Sequence, residues 1–281
     1  VSPRRRSLKE AEERPPPPPP LVVGASDESN VLRDEIERVR TKSKSRERRL
    51  HRARAARARG DTSPQALVFS TAGFHPHNAK QLRIPTDIDK LRELCAQPHV
   101  VAVGECGLDY HRPNRSSGDP PEPLSAEAKD VQRRAFVDQM ALATELGAPL
   151  VVHTRDAEED TLELMRAHLP RDAKVHVHCF TSSLELAEAL LAAFPNLCLG
   201  FTGACTFKNA EEIRAVVRAT PLERILLETD GPYMAPEPHR GTVAHPGMVP
   251  HVAAKIAEVK GVDVAEVFEA TREATRRTYG I

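Results

Sequence analysis

From residue 66 onward the chain alternates short, continuous apolar runs with amphipathic stretches of helical length, and this alternation restricts the fold more than any other feature. The runs are ALVFSTAG, HVVAVGE, PLVVHT, KVHVHCF, LCLGFTG and RILLETD. Between them lie helix-length stretches at 86–97, 125–147, 156–168, 183–194 and 209–219, and residues 246–279 read as two further helices. Runs that are apolar throughout, rather than at every second residue, predict parallel strands covered on both faces. Repeated strand–helix units then mean a doubly wound sheet or an α/β barrel. An earlier run, LVVGAS at 21–26, predicts a seventh strand, one short of a closed (β/α)8 barrel.

Four of these runs end on, or run into, residues that can hold a cation or move a proton: Glu105, His153, His178 and Asp230. Their separations of 48, 25 and 52 residues fit one strand–helix unit plus a long loop, one unit, and two units. A barrel presents the C-terminal ends of its strands at one rim, so four such endings predict one cavity. Two imidazoles and two carboxylates form a mixed N/O set suited to one or two divalent ions, Mg²⁺, Mn²⁺ or Zn²⁺. Such an ion produces hydroxide from water near neutral pH, which points to metal-assisted hydrolysis.

Other polar residues reach the same rim. His75 and His77 flank Pro76 just after the first run; His75 is placed to contact a phosphate or give a proton, and His77 to cap the loop or touch substrate. His176 shares a strand face with His178 and reads as a further ligand, a partner behind that ligand or a substrate contact. Arg155 follows His153, where a planar guanidinium meets a phosphate; a surface arginine at a helix start is the equal alternative. Cys106 and Cys179 flank proposed ligands and read as packing residues. The Pro- and Gly-rich loops at 111–124 and 231–246 are long enough to shape a cleft.

Composition narrows the remaining classes. Five cysteines with no CxxC spacing argue against a disulfide framework, so a cytoplasmic or nuclear protein is expected. No apolar run of about 18 residues exists, so no membrane partner is expected. The zero net charge hides a basic arm, since residues 1–65 carry 17 Lys/Arg against 10 Asp/Glu. Within that arm, residues 1–20 read as a disordered Arg/Pro-rich segment, and 21–65 as a degenerate barrel strand followed by a basic helix from about Asn30 to Arg59. Residues 66–281 form the hydrolase barrel, expected as a monomer with no obligate protein partner. With 4% aromatic residues and no Trp, sequence-specific reading of single strands is not expected.

Several segments also carry a family likeness. STAGFHPHN (70–78), VVAVGECGLDYHR (100–112), PLVVHTRDAEEDTLELM (149–165), VHCFTSSLELA (177–187) and LLETDGPYMAP (226–236) resemble the TatD family of metal-dependent deoxyribonucleases, in particular its eukaryotic branch. The resemblance implies a TIM barrel that cleaves phosphodiesters of DNA, or of RNA, with exonuclease character. It makes Glu105 a carboxylate shared between metal positions, and His153 and His178 ligands of one ion. Asp230 becomes a ligand that orients or deprotonates the attacking water, and His75 faces the scissile phosphate. Many members begin with an HxHxD strand that no segment before residue 66 matches, so the TIM (β/α)8-type barrel is expected to lack its normal first strand. Two other readings stay open: an amidohydrolase-type enzyme for small phosphate or carboxylate esters, and a catalytically impaired barrel that binds nucleic acid or acts as a scaffold.

Overall fold

Each apolar run from residue 66 onward becomes a strand in the computed structural model, which describes residues 68–111 and 124–281. These are β1 (Ser70–Ala72), β2 (Val100–Asp109), β3 (Leu150–Arg155), β4 (Val175–Val177), β5 (Leu197–Phe201) and β6 (Ile225–Leu227). They form one 6-stranded sheet in the order β1-β2-β3-β4-β5-β6, every neighbouring pair parallel. Sequential neighbours joined by helices are the winding of a TIM-type α/β barrel. The helices are α1 (Thr86–Cys95), α2 (Ala126–Leu146), α3 (Glu158–His168), α4 (Leu184–Ala193), α5 (Glu211–Ala219), α6 (Val249–Lys260) and α7 (Val264–Tyr279). The described residues all lie in one unit of the chain, Ser45–Ile281. The strand at 21–26, the basic helix, the Arg/Pro-rich segment and most of the loop at 111–124 fall outside the described residues.

Local chemistry sets the element boundaries. Ser125 caps α2 by accepting from the Ala128 amide at 3.2 Å, and Ser183 does the same for Leu186 at the start of α4. Asp263 accepts from Ala265 at 2.7 Å to open α7. The core lies between sheet and helices. Phe136 and Met140 of α2, Met165 of α3, Phe194 after α4 and Phe201 of β5 are fully buried there. Each such side chain stabilises the fold by roughly 1.5–3 kcal/mol over exposure.

One strand departs from the simple pattern in a way that builds the site. Val103 pairs with Leu150 and Cys106 with Val152, so β2 takes three steps where β3 takes two. The extra residue is a bulge. It is flanked by Gly104 and Gly107, at φ +134° and +138°, where a side chain would be strained. A Cβ on Gly107 would come within 2.0 Å of the His153 carbonyl oxygen. Glu105 therefore does not end its strand, as the sequence pattern predicts. It sits on the bulge, and β2 runs four residues further to Asp109.

Candidate metal centre

Three strands deliver three side chains to one point. Glu105 comes from the β2 bulge, His153 from β3, and His178 from the first residue after β4. Glu105 Oε1 lies 2.8 Å from His153 Nδ1 and 2.5 Å from His178 Nε2, and the two imidazole nitrogens are 3.1 Å apart. His75 stands at the same edge, its Nε2 3.6 Å from Glu105 Oε1. Ligand atoms of His75, Glu105 and His153 all fall within 4.8 Å of one another, a grouping that can hold a metal ion.

The second nitrogen of each ring indicates which atom is free to ligate. His178 Nδ1 faces Glu228 Oε2 at 3.5 Å, and His153 Nε2 faces Asp109 Oδ2 at 3.3 Å. Each ring thus meets a carboxylate at both nitrogens, the nearer contact being to Glu105 Oε1, and since a carboxylate only accepts, each contact places a ring proton between the two. An ion among these atoms would replace the protons on His178 Nε2 and His153 Nδ1, while Glu228 and Asp109 keep a proton on the far nitrogen of each ring. The three atoms lie 2.5–3.1 Å apart, close enough to share one positive charge, carried by ring protons or by a metal ion in their place. Two imidazoles and one carboxylate fit a divalent ion of the Zn²⁺ or Mn²⁺ type. His153 Nε2 is enclosed and faces Asp109 Oδ2 at 3.3 Å without an aligned hydrogen bond, and a small turn of the ring would complete one.

Electrostatics fit a site that accommodates positive charge. Burial lowers the pKa of His178, but Glu105 and Glu228 outweigh it and hold the value up at about 10. Burial works to raise Glu105, yet His153 and His178 keep its carboxyl well below the ordinary range. Asp230 moves the other way. Burial, aided by the nearby Glu228 charge, raises its pKa despite the opposing influence of His178. Asp230 lies three residues beyond β6 with φ 51°, and Cys179, next to His178, has φ 44°. Left-handed backbone at residues other than glycine marks strained rim positions, as is common at functional sites.

The remaining predicted residues sort by environment. His75 Nδ1 accepts the His77 amide at 3.2 Å, so His75 caps the loop, the role the sequence suggested for His77. With that nitrogen occupied as an acceptor, a neutral His75 carries its proton on Nε2 and presents a donor to the site rather than a ligand. His77 is exposed and reaches Asp109 Oδ2 at 2.9 Å. Arg155 ends β3 exposed and makes no ion pair with a described residue. His176 does not reach the substrate side. It is buried, with Nε2 on Glu228 and Nδ1 on Tyr279. Cys106 is buried against the Val151 carbonyl, with its thiol pKa pushed up by burial, as expected of a packing residue.

Two carboxylates were missed by the search for strand endings. Asp109 is 3% exposed and is held from its backbone by Gln132, which both accepts from its amide and donates to its carbonyl. Glu228 sits beneath His178 and also accepts from the Cys179 amide at 3.0 Å. Each stands behind a proposed ligand, an arrangement that orients metal-binding histidines.

Comparison with known proteins places the chain among relatives. The family model described as TatD related DNase matches residues 32–280. The chain is 40% identical over 215 residues to the uncharacterized metal-dependent hydrolase YcfH of Escherichia coli K12, covering 76% of this chain and 74% of that protein. It is 39% identical over 218 residues to the human 3'-5' RNA nuclease TATDN2, covering 76% of this chain but 27% of that longer protein. Among solved structures, YjjV, a TatD homologue from Escherichia coli K12, superimposes with a TM-score of 0.65 at 25% identity over 82% of each chain.

Proposed function

The chain belongs to the family of TatD-related DNases, and from that premise we propose that it is a metal-dependent nuclease hydrolysing phosphodiesters of DNA from a strand end. The observation that carries the reading is the convergence of His153 Nδ1 and His178 Nε2 on Glu105 Oε1, a donor set that calls for a cation. A divalent ion bound there lowers the pKa of water to about 7 and polarises a phosphate oxygen. Glu105, His153 and His178 would hold it. Asp230, at the rim with a raised pKa, orients the attacking water and takes its proton as the phosphorus–oxygen bond to the leaving group breaks. His75 donates from Nε2 to a non-bridging phosphate oxygen, and the exposed Arg155 fork meets the neighbouring phosphate. His77, hinged on Asp109, lines the approach.

The choice of DNA follows the family description, and attack from an end follows the 3'-5' mode of the human relative. The test is a cleavage assay on single- and double-stranded DNA and RNA, with chelated protein and with protein reloaded with Mg²⁺, Mn²⁺ or Zn²⁺. Cleavage is expected only after reloading, and stepwise from one end. Glu105→Ala and Asp230→Asn should each lose more than about 100-fold, beyond the cost of disturbing an outer-sphere partner. Turnover by either variant at the wild-type rate, or cleavage undiminished by chelator, would overturn the assignment.

A further inference from the structure

Below the metal centre, the barrel interior holds a chain of polar side chains that continues to the end of α7. Glu228 Oε2 faces His178 Nδ1 at 3.5 Å, while Glu228 Oε1 lies 2.8 Å from His176 Nε2. His176 Nδ1 in turn lies 2.5 Å from the Tyr279 hydroxyl, the two rings set nearly at right angles. Tyr279 is the last residue of α7. The proton positions follow from chemistry. An ionised Glu228 only accepts, so His176 donates from Nε2; a neutral His176 then accepts at Nδ1, and the Tyr279 hydroxyl donates to it.

Space has been made for this chain of contacts. In TIM barrels, interior layers are built by alternate strands and filled mostly with bulky apolar side chains. His176 belongs to β4 and Glu228 follows β6, so their contact passes across β5. The β5 residue at the crossing is Gly200, where a Cβ would fall 1.4 Å from Glu228 Oε1 and 2.4 Å from His176 Nε2. Any side chain there would displace the pair. A carboxylate largely withdrawn from water, as Glu228 is, also carries a desolvation cost that well-packed apolar residues would avoid. A polar layer kept at that cost, directly behind a proposed ligand, calls for a return beyond packing.

We propose that Tyr279, His176 and Glu228 form a positioning relay that fixes the tautomer and ring orientation of His178, and through it the affinity of the centre for its metal. The inference rests on the reading of His178 as a ligand. None of the three relay residues touches substrate. The relay means that the C-terminal turn of α7, at the far end of the line of contacts, tunes the metal centre.

The test uses the full chain and Zn²⁺ alone, with affinity read by competition against a chromophoric chelator. In parallel, the ¹⁵N signals of the His178 imidazole are recorded in metal-free protein. Glu228→Gln is expected to weaken Zn²⁺ binding about 10–100-fold, the range for outer-sphere partners of metal-binding histidines. Tyr279→Phe, which removes one hydroxyl and keeps the ring, should weaken it about 3–10-fold, the worth of one hydrogen bond. Both should shift the His178 nitrogen signals, which a purely structural role would leave in place while lowering the melting temperature. If Glu228→Gln does not fold, Tyr279→Phe decides alone. Folded variants with wild-type Zn²⁺ affinity and unchanged His178 signals overturn the relay and leave the metal centre standing. A wild-type chain that takes up no Zn²⁺ overturns the ligand reading and the relay together.

Discussion

Asp109 shows how much a single residue carries at this centre. Its carboxylate accepts the His111 amide at 2.9 Å, meets His77 Nε2 at 2.9 Å and faces His153 Nε2 at 3.3 Å. In the proposed centre it would hold the His153 ring from behind, as Glu228 would hold His178. Replacing it by the isosteric, neutral Asn weakens that hold without opening a cavity. Asp109→Asn is expected to lower kcat/KM of the metal-loaded protein by about 10–100-fold. Steady-state kinetics on a short DNA strand checks it, and an unchanged kcat/KM would remove Asp109 from the supporting set. Both missed carboxylates had a signal in the sequence. Asp109 lies four residues past Glu105, and Glu228 two before Asp230, so strand periodicity puts each on the face of its neighbour. His176 and Glu228 are also 52 residues apart, the separation of His178 and Asp230. Reading only the last residue of each run hid these pairs.

At the scale of elements, the strands and helices from residue 68 onward follow the apolar runs closely, because buried parallel strands need unbroken apolar sequence. The bulge in β2 did not follow. It depends on Gly104 and Gly107 approaching the β3 backbone, a tertiary contact that an apolar pattern does not encode. The entry to α1 is another local device. Asp87, in its first turn, accepts from the Arg83 amide at 2.9 Å and from the Arg83 and Lys90 side chains. The hydrogen bonds from the Arg83 side chain and amide bring its pKa down from 3.8 to about 2. A carboxylate depressed on folding stabilises the native state above its unfolded pKa of about 3.9, and loses that contribution as pH falls through the folded value. Asp87→Asn should therefore melt below wild type at pH 7. The gap should narrow below about pH 4 and close near pH 2. Parallel thermal melts across that range check it, and a gap independent of pH would mean that the charge is not what holds the helix start.

At the scale of the whole molecule, the proposed metal centre joins the middle of the sheet. Glu105, His153 and His178 come from three consecutive strands, β2, β3 and β4, whose backbones are already paired. Without a metal ion, the imidazoles pair with the Glu105 carboxylate through their ring protons; a metal ion in place of those protons would tie the same strands. An ion that binds only the folded chain stabilises it by mass action, about 2.7 kcal/mol at one hundred times its dissociation constant. In a domain of this size that corresponds to a rise in melting temperature of roughly 5–10 °C. Differential scanning fluorimetry of chelated and Zn²⁺- or Mn²⁺-reloaded protein should show this rise in the wild type. It should be absent in Glu105→Ala, which lacks the oxygen on which both imidazoles converge. Asp230→Asn, altered at the rim and not at that convergence, should keep most of it. The two variants, both expected to lose cleavage, thus separate by their thermal response. A rise retained in Glu105→Ala would place the bound ion elsewhere in the molecule and sink the assignment of the centre.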